Sequence, residues 1–280
     1  AFDFGLSLNA SYTLSKAKSY SEGIGAQVNA AYNNYRNSIN AINDKDLGYA
    51  TYVAPNRLLV SAAYKLKESK YATSSFSLVY DAYQYAYLGG YSYSRYSYIF
   101  NGNINNDPSA QGNLIYVPAS REELNSWNFV DNGYADWEVY TADKQRDDFW
   151  TFINQDDYLK NRKGQYAERG GAKMPWHHQL DFKYLRDMSI KIGQTKHSLQ
   201  LGLDIENLLN FLCKDWGLYK EITGNTLLSY KVNKETGVGE YTYNLVNGER
   251  HLSTSQNYEA LPSTYRIQFT IRYLFNSPHK

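Results

Sequence analysis

Few residues of this chain are grouped as catalysis requires. Its five histidines are His177, His178, His197, His251 and His279. His177 and His178 are adjacent, so an extended backbone sends them to opposite faces and makes them poor joint metal ligands. Asn101, Asn103, Asn105 and Asp107 have the alternate spacing of a calcium loop. They offer one carboxylate where calcium favours several, so a polar turn is the better reading. The single cysteine, Cys213, can form neither an internal disulfide nor a multi-cysteine metal site. We therefore read the chain as non-enzymatic and without cofactor or metal.

Two other groups carry chemistry of a different kind. Trp127, Tyr134, Trp137, Trp150, Tyr158 and Trp216 lie in long polar connections. Such rings either bind sugars, peptides or protein partners, or pack the connections into a small folded cap. Arg57, Lys65, Asp81, Asp181, Lys183, Asp204, Glu206, Arg266 and Arg272 recur at alternate positions of otherwise apolar stretches. They predict one hydrated face, either a structural ion-pair network or the lining of an aqueous lumen.

The elements that position these residues are long strands. From Thr264 to Phe275, Tyr265, Ile267, Phe269, Ile271, Tyr273 and Phe275 alternate with Thr264, Arg266, Gln268, Thr270 and Arg272. This gives one apolar and one polar face, over about twelve residues where soluble strands favour five or six. A tilted strand crossing a bilayer needs about nine to eleven. The same design recurs, so the alternation predicts about six strands, at about 2–15, 55–67, 72–88, 175–187, 196–207 and 264–275. The phase breaks at Asn207-Leu208-Leu209, which predicts a bulge or a strand exit. Tyr80, Tyr184, Tyr265 and Tyr273 are placed as interfacial rings.

The connections alternate in length. Short turns follow the second and fourth strands, one of them around Met188 to Thr195, and long loops follow the first, third and fifth. The first loop is read with a helical piece around Ala26 to Ile42. In the second, Ser120-Arg-Glu-Glu123 is a capping box, and Phe149, Ile153 and Tyr158 have helical spacing between Asp143 and Leu159. The third predicts a hairpin, Leu228–Val232 with Glu240–Leu245, and a second turn at Asn247-Gly248. Long loops on one side and short turns on the other are the asymmetry of transmembrane barrels.

Composition narrows the class. A formal charge of +1 gives no electrostatic case for nucleic acid. No run approaches the eighteen or so apolar residues of a transmembrane helix, while alternating barrel strands average out to polar. The excess of tyrosine, 29 in 280 residues, suits strands and membrane interfaces. The expected fold is all-β, a transmembrane antiparallel barrel segment forming one domain over 1–280. Six strands are too few to close, so the remainder of the barrel is expected upstream. A soluble antiparallel sheet with one wet face, or a lectin-like sandwich, is the alternative.

Several stretches carry a resemblance. They are Tyr52-Val-Ala-Pro-Asn-Arg57, Gly90-Tyr-Ser-Tyr93, Asn101 to Pro118, and Asp157-Tyr-Leu-Lys-Asn-Arg-Lys-Gly164. Arg169, Pro175-Trp176, Leu180-Asp181, Leu203-Asp-Ile-Glu-Asn-Leu-Leu-Asn210 and the terminal aromatic strand complete them. Over most of its length the chain resembles the carboxyl-terminal part of TonB-dependent outer-membrane transporters, of the Oar-like kind with carboxypeptidase-regulatory-type amino-terminal domains. The resemblance implies a Gram-negative outer membrane and a barrel of roughly 22 strands with a plugged lumen. It further implies active import, with outer-membrane lipid, the rest of the barrel and plug, and the TonB energy complex as partners. A surface lipoprotein or an extracellular ligand would meet the loops. The chain departs from the family in two ways. Five residues follow Phe275, and the plug with its TonB-contacting segment is not among the matching residues. A passive porin or an adhesive surface barrel is the other membrane reading.

Overall fold

The computed structural model describes residues 2–20, 37–40, 46–88, 91–102, 104, 112–133, 139–258 and 261–276. Six long strands form one antiparallel sheet in chain order. They are β1 (Leu6–Leu14), β2 (Asn56–Lys67), β3 (Ala72–Tyr83), β4 (His177–Ile192), β5 (Thr195–Glu206) and β6 (Arg266–Asn276). Each pairs with its sequence neighbour. Among the described residues β1 and β6 are not paired with each other, so the sheet is open at both edges. No described helix is long and apolar enough to cross a membrane, which says nothing of crossing by strands.

The register aligns the alternation of all six strands. On one row Leu8 faces Ala62, Ala62 faces Leu78, and Leu78 faces Phe182. Phe182 faces Ile205, which faces Ile267. A one-residue slip anywhere would exchange the faces, so the pairing is specified by the pattern itself. One face of the sheet is therefore mostly apolar, interrupted by His178, by Ser74 and by Arg186, which pairs with Glu68 at 2.8 Å. The other carries every one of the nine predicted charged residues.

Three strand limits differ from expectation by four or five residues. β1 begins at Leu6 because Phe2 to Gly5 form a turn, closed by a hydrogen bond from the Gly5 amide to the Phe2 carbonyl. β3 ends at Tyr83, not Leu88. The Gln84 amide still bonds the Asn56 carbonyl, while its side chain bridges Asn56 and the Met174 carbonyl and turns the chain out of the sheet. Ala86–Leu88 then pair with Tyr91–Tyr93 in a separate hairpin. β4 runs on to Ile192, past the expected end at 187, because the turn is only Gly193-Gln194. Gly193 takes φ +61°, the positive φ a two-residue hairpin turn needs.

The long connections fold together at the other end of the sheet. Helix α1 (Arg121–Asn125) starts at the predicted capping box: Ser120 Oγ accepts from the Glu123 amide, and Glu123 reaches back to the Ala119 amide at 2.6 Å. Helix α2 (Ala142–Gln155) is capped by Thr141. The predicted hairpin forms as Thr226–Val232 with Gly239–Tyr243. Asn247 and Gly248, both at positive φ, make the second turn between Val246 and Glu249. Residues 37–40 are not helical; the rest of the predicted helical piece at 26–42 lies outside the described residues, except for those four.

These connections share one apolar core, which includes Tyr98, Ile115, Phe149, Phe152, Leu228 and Tyr243. Ile99–Asn101 of the second connection runs parallel to Thr226–Ser229 of the third. The first connection joins through Tyr49, whose amide bonds the Arg169 carbonyl and whose ring lies 4.3 Å beneath the Arg95 guanidinium. The result is a folded cap over the sheet end that carries the long loops.

Candidate functional site

Three regions could carry function: the polar face, the cap and a cleft between cap and sheet. On the polar face, most predicted charges are matched across strands. Arg57 donates twice to Asp81, at 3.0 and 2.7 Å. Lys183 pairs with Asp204 at 2.7 Å, and Arg266 meets Glu206 at 3.6 Å. Asp181 accepts from Gln179 and from the Asn207 amide at 2.9 Å. Lys65 and Arg272 lie on the same face without an ion pair among the described residues. The arrangement is a charged surface crossed by three ion pairs, with no cluster of three or more metal-ligating side chains among the described residues.

His177 and His178 do lie on opposite faces. His177 is buried on the polar side, its ring stacked 3.7 Å from that of Tyr219, whose hydroxyl meets that of Tyr83 at 2.7 Å. His178 is on the apolar side, its Nδ1 2.7 Å from the Tyr80 hydroxyl. Among the calcium-like asparagines only Asn101 is described; Asn103, Asn105 and Asp107 lie outside the described residues.

Of the aromatic loop residues described, Tyr158 and Trp216 line the cleft, while Trp127 and Trp150 pack elsewhere in the cap. Trp127 packs against Phe149 and Tyr241, at 6.4 and 5.3 Å between centroids. Trp150 is half-buried under the Lys163 ammonium, 4.5 Å from its ring. Tyr158 stacks on Tyr98 and is half-buried: its hydroxyl accepts from the Glu168 amide at 2.6 Å, and burial pushes its pKa up to about 12. A Cβ at Gly171 would fall 2.3 Å from that hydroxyl, which is why the chain there is glycine. Trp216 is the exposed member. Tyr134 and Trp137 lie outside the described residues.

Polar residues buried in the cap tie its connections together, and their roles were not visible in the sequence. Gln145 donates to the Val130 and Tyr140 carbonyls and accepts from the Tyr243 amide, at 2.7 to 2.8 Å. Asp148 takes the Tyr140 hydroxyl at 2.8 Å and both arms of Arg250. Asp156 accepts from Tyr98 at 2.6 Å and Thr254 at 2.8 Å. Each of the three links α2 or its end to the third connection. Burial raises the pKa of Tyr98 and Tyr243, and lowers that of His251 to about 4. Only the capping and helical spacing around them could have pointed to this cluster, since pairing across such distances leaves no local pattern.

The phase break proves to be a strand exit. Asn207 takes φ +55° and caps helix α3 (Leu208–Leu212). It is buried, its amide bonds Asp181, and its side chain donates to the Gly217 and Ser263 carbonyls at 2.9 and 3.3 Å.

A cleft of about 1090 Å³ lies between the cap and the sheet. The strand residues lining it, Tyr80 and His178, are on the apolar face. The rings of Trp176, His178 and Tyr80 stand in file, each step about 6.1 Å between centroids. Trp216 closes one side, and Lys173 and Lys220 line the cap side. No protein-family model, curated protein or solved structure matches the chain.

Proposed function

We propose that this chain forms part of the wall and the extracellular loops of an outer-membrane β-barrel importer, energised through a TonB-type complex. The observation that carries the reading is the register: six long strands align most of their apolar residues on one face, and most of their charged residues on the other. Apolar area of this extent on a stable protein is normally covered. Hydrocarbon covers it if the strands are membrane-spanning, with the charged face turned to a hydrated lumen. The gathering of all three long connections at one end supports the same orientation, with the cap outside the cell. The open edges of β1 and β6 leave room for further strands to complete a closed wall, since closure alone satisfies backbone groups in lipid. The cap then presents the surface that meets an extracellular ligand or a surface lipoprotein, with the plug inside the wall.

Insertion is tested by placing Arg at Phe269, near the middle of the apolar face. In a barrel wall the change lowers folding stability in vesicles by about 2–4 kcal/mol. In a sheet whose apolar face stays in water the same change is neutral or improves solubility, and that outcome would sink the membrane reading. Import is tested separately: ligand uptake by cells carrying the protein should stop when the proton-motive force is dissipated. Uptake that persists favours a passive porin, and binding without uptake favours an adhesive barrel.

A further inference from the structure

The polar face of the sheet is not uniform along its length. Towards the long connections its charges are matched: Arg57 with Asp81, Lys183 with Asp204, and Arg266 with Glu206. Towards the short turns they are not. Lys65, Lys67, Lys191, Lys196 and Arg272 are exposed there, and none has an ion pair among the described residues. Two carboxylates share that end of the face. Asp187 accepts from Gln200 at 2.8 Å, and Asp3 lies in the turn before β1. The Glu68 carboxylate is taken by Arg186 on the opposite face. Lys191 stands directly opposite Lys196 in the β4–β5 register, an arrangement that destabilises a sheet. Lys67, Thr73, Asp187, Gln200 and Arg272 form one row across five strands. At about 4.8 Å per strand the two cations that end this row are about 19 Å apart. Beside Lys65, the small residues Gly5, Ser7, Ala63 and Ser75 line a hollow of about 250 Å³.

We propose that an acidic polypeptide segment lies against this end of the polar face, on the inner side of the wall. The inference rests on the membrane reading above, which turns this face to the lumen. The matched half shows that the face can neutralise its own charges, so the unmatched half is the part that complements something else. Lipid is the wrong occupant, because the cations stand on the face opposite the apolar one. A single phosphate or small carboxylate is the wrong size, because it cannot reach cations spread over about 19 Å. An extended chain presents side chains on one side every 6–7 Å or so, which lets alternate acidic residues meet successive cations. The hollow beside Lys65 gives side chains of that segment room to seat.

The test is carbodiimide cross-linking of the intact protein in its native membrane, read by peptide mass spectrometry. The reagent joins a lysine only to a carboxylate in contact with it, and the Lys183–Asp204 pair at 2.7 Å serves as the internal control. Lys65 and Lys67 should be recovered joined to aspartates or glutamates of a segment outside the sheet. K191E/K196E should lower that yield about tenfold or more, since like charges across an interface cost several kcal/mol. K191R/K196R should leave it unchanged. Free Lys65 and Lys67 beside a joined Lys183–Asp204 pair overturn the inference, as do links to Asp3 or Asp187 alone, or an adduct of a small carboxylate in place of a peptide. Recovery of the wild type from the soluble fraction overturns the membrane reading itself, so the two failures are distinct.

Discussion

The sheet and the cap treat the same residue types in opposite ways. Phe269 and Ile271 at the middle of β6 are each 77 % exposed, while Phe149 and Phe152 of α2 are fully buried. The sheet has backbone order and almost no side-chain core; the cap has short, irregular elements around a dense core. A soluble domain buries its apolar stripe against a second layer. Here the cap supplies no second layer to the sheet, because it packs on itself at one end. The difference teaches that the two regions are stabilised by different surroundings: the cap by its own packing in water, the wall by whatever covers its apolar face.

Three changes would break or sharpen that contrast. Phe152→Ala empties the centre of the cap and should cost about 3–5 kcal/mol of cap stability. Limited proteolysis should then cut the long connections while the sheet strands stay protected. Loss of both together would show one cooperative unit and dissolve the comparison. Acid should act on the cap through His251. Burial holds its folded pKa near 4, below the usual value near 6.5. Its Nε2 is 2.8 Å from the Thr223 hydroxyl, and its ring packs 4.5 Å from Phe152. Between those two pH values the unfolded chain takes up a proton that the folded cap refuses, so stability present at neutral pH falls as pH drops from about 6.5 towards 4. Near-UV circular dichroism melts at pH 7.5 and 5 should show this, and His251→Gln should flatten the dependence. The smallest effect is expected on the polar face. Arg57 is half exposed beside Asp81, so Arg57→Gln should cost under about 1 kcal/mol. A much larger loss in denaturant titration would mean that this face is drier than a hydrated surface.

The wall was legible because its signal is local. Two-residue alternation survives in β6 from Ile267 to Tyr273 without a break on the apolar side, and register follows from it. The ends of strands were less legible. Gln84 ends β3 through contacts with Asn56 and Met174, residues 28 and 90 positions away, and no window of sequence contains both. In the cap, the Ser120 capping box and the Asn247-Gly248 turn could be read, being short-range devices. The core could not. Trp127 and Tyr158 sit among polar residues in sequence, and only the fold brings Tyr241 and Tyr98 against them. The cleft escaped for the same reason: Trp176 and His178 are neighbours in sequence, but Trp216 and Lys220 join them through the folding of α3 and the segment after it.

One residue described above has a consequence for how such a surface can change. Asn207 leaves β5, and its side chain grips the Ser263 carbonyl just before β6 begins. Both ends of the third connection are thus fastened at one point. The entropy of closing a loop rises only by about 0.6 kcal/mol for each doubling of its length. With the neck already closed, residues between can be lengthened, shortened or exchanged at little further cost to the strands they join. Asn207 acts as a fixed socket, and the sequence inserted at it is free to diversify.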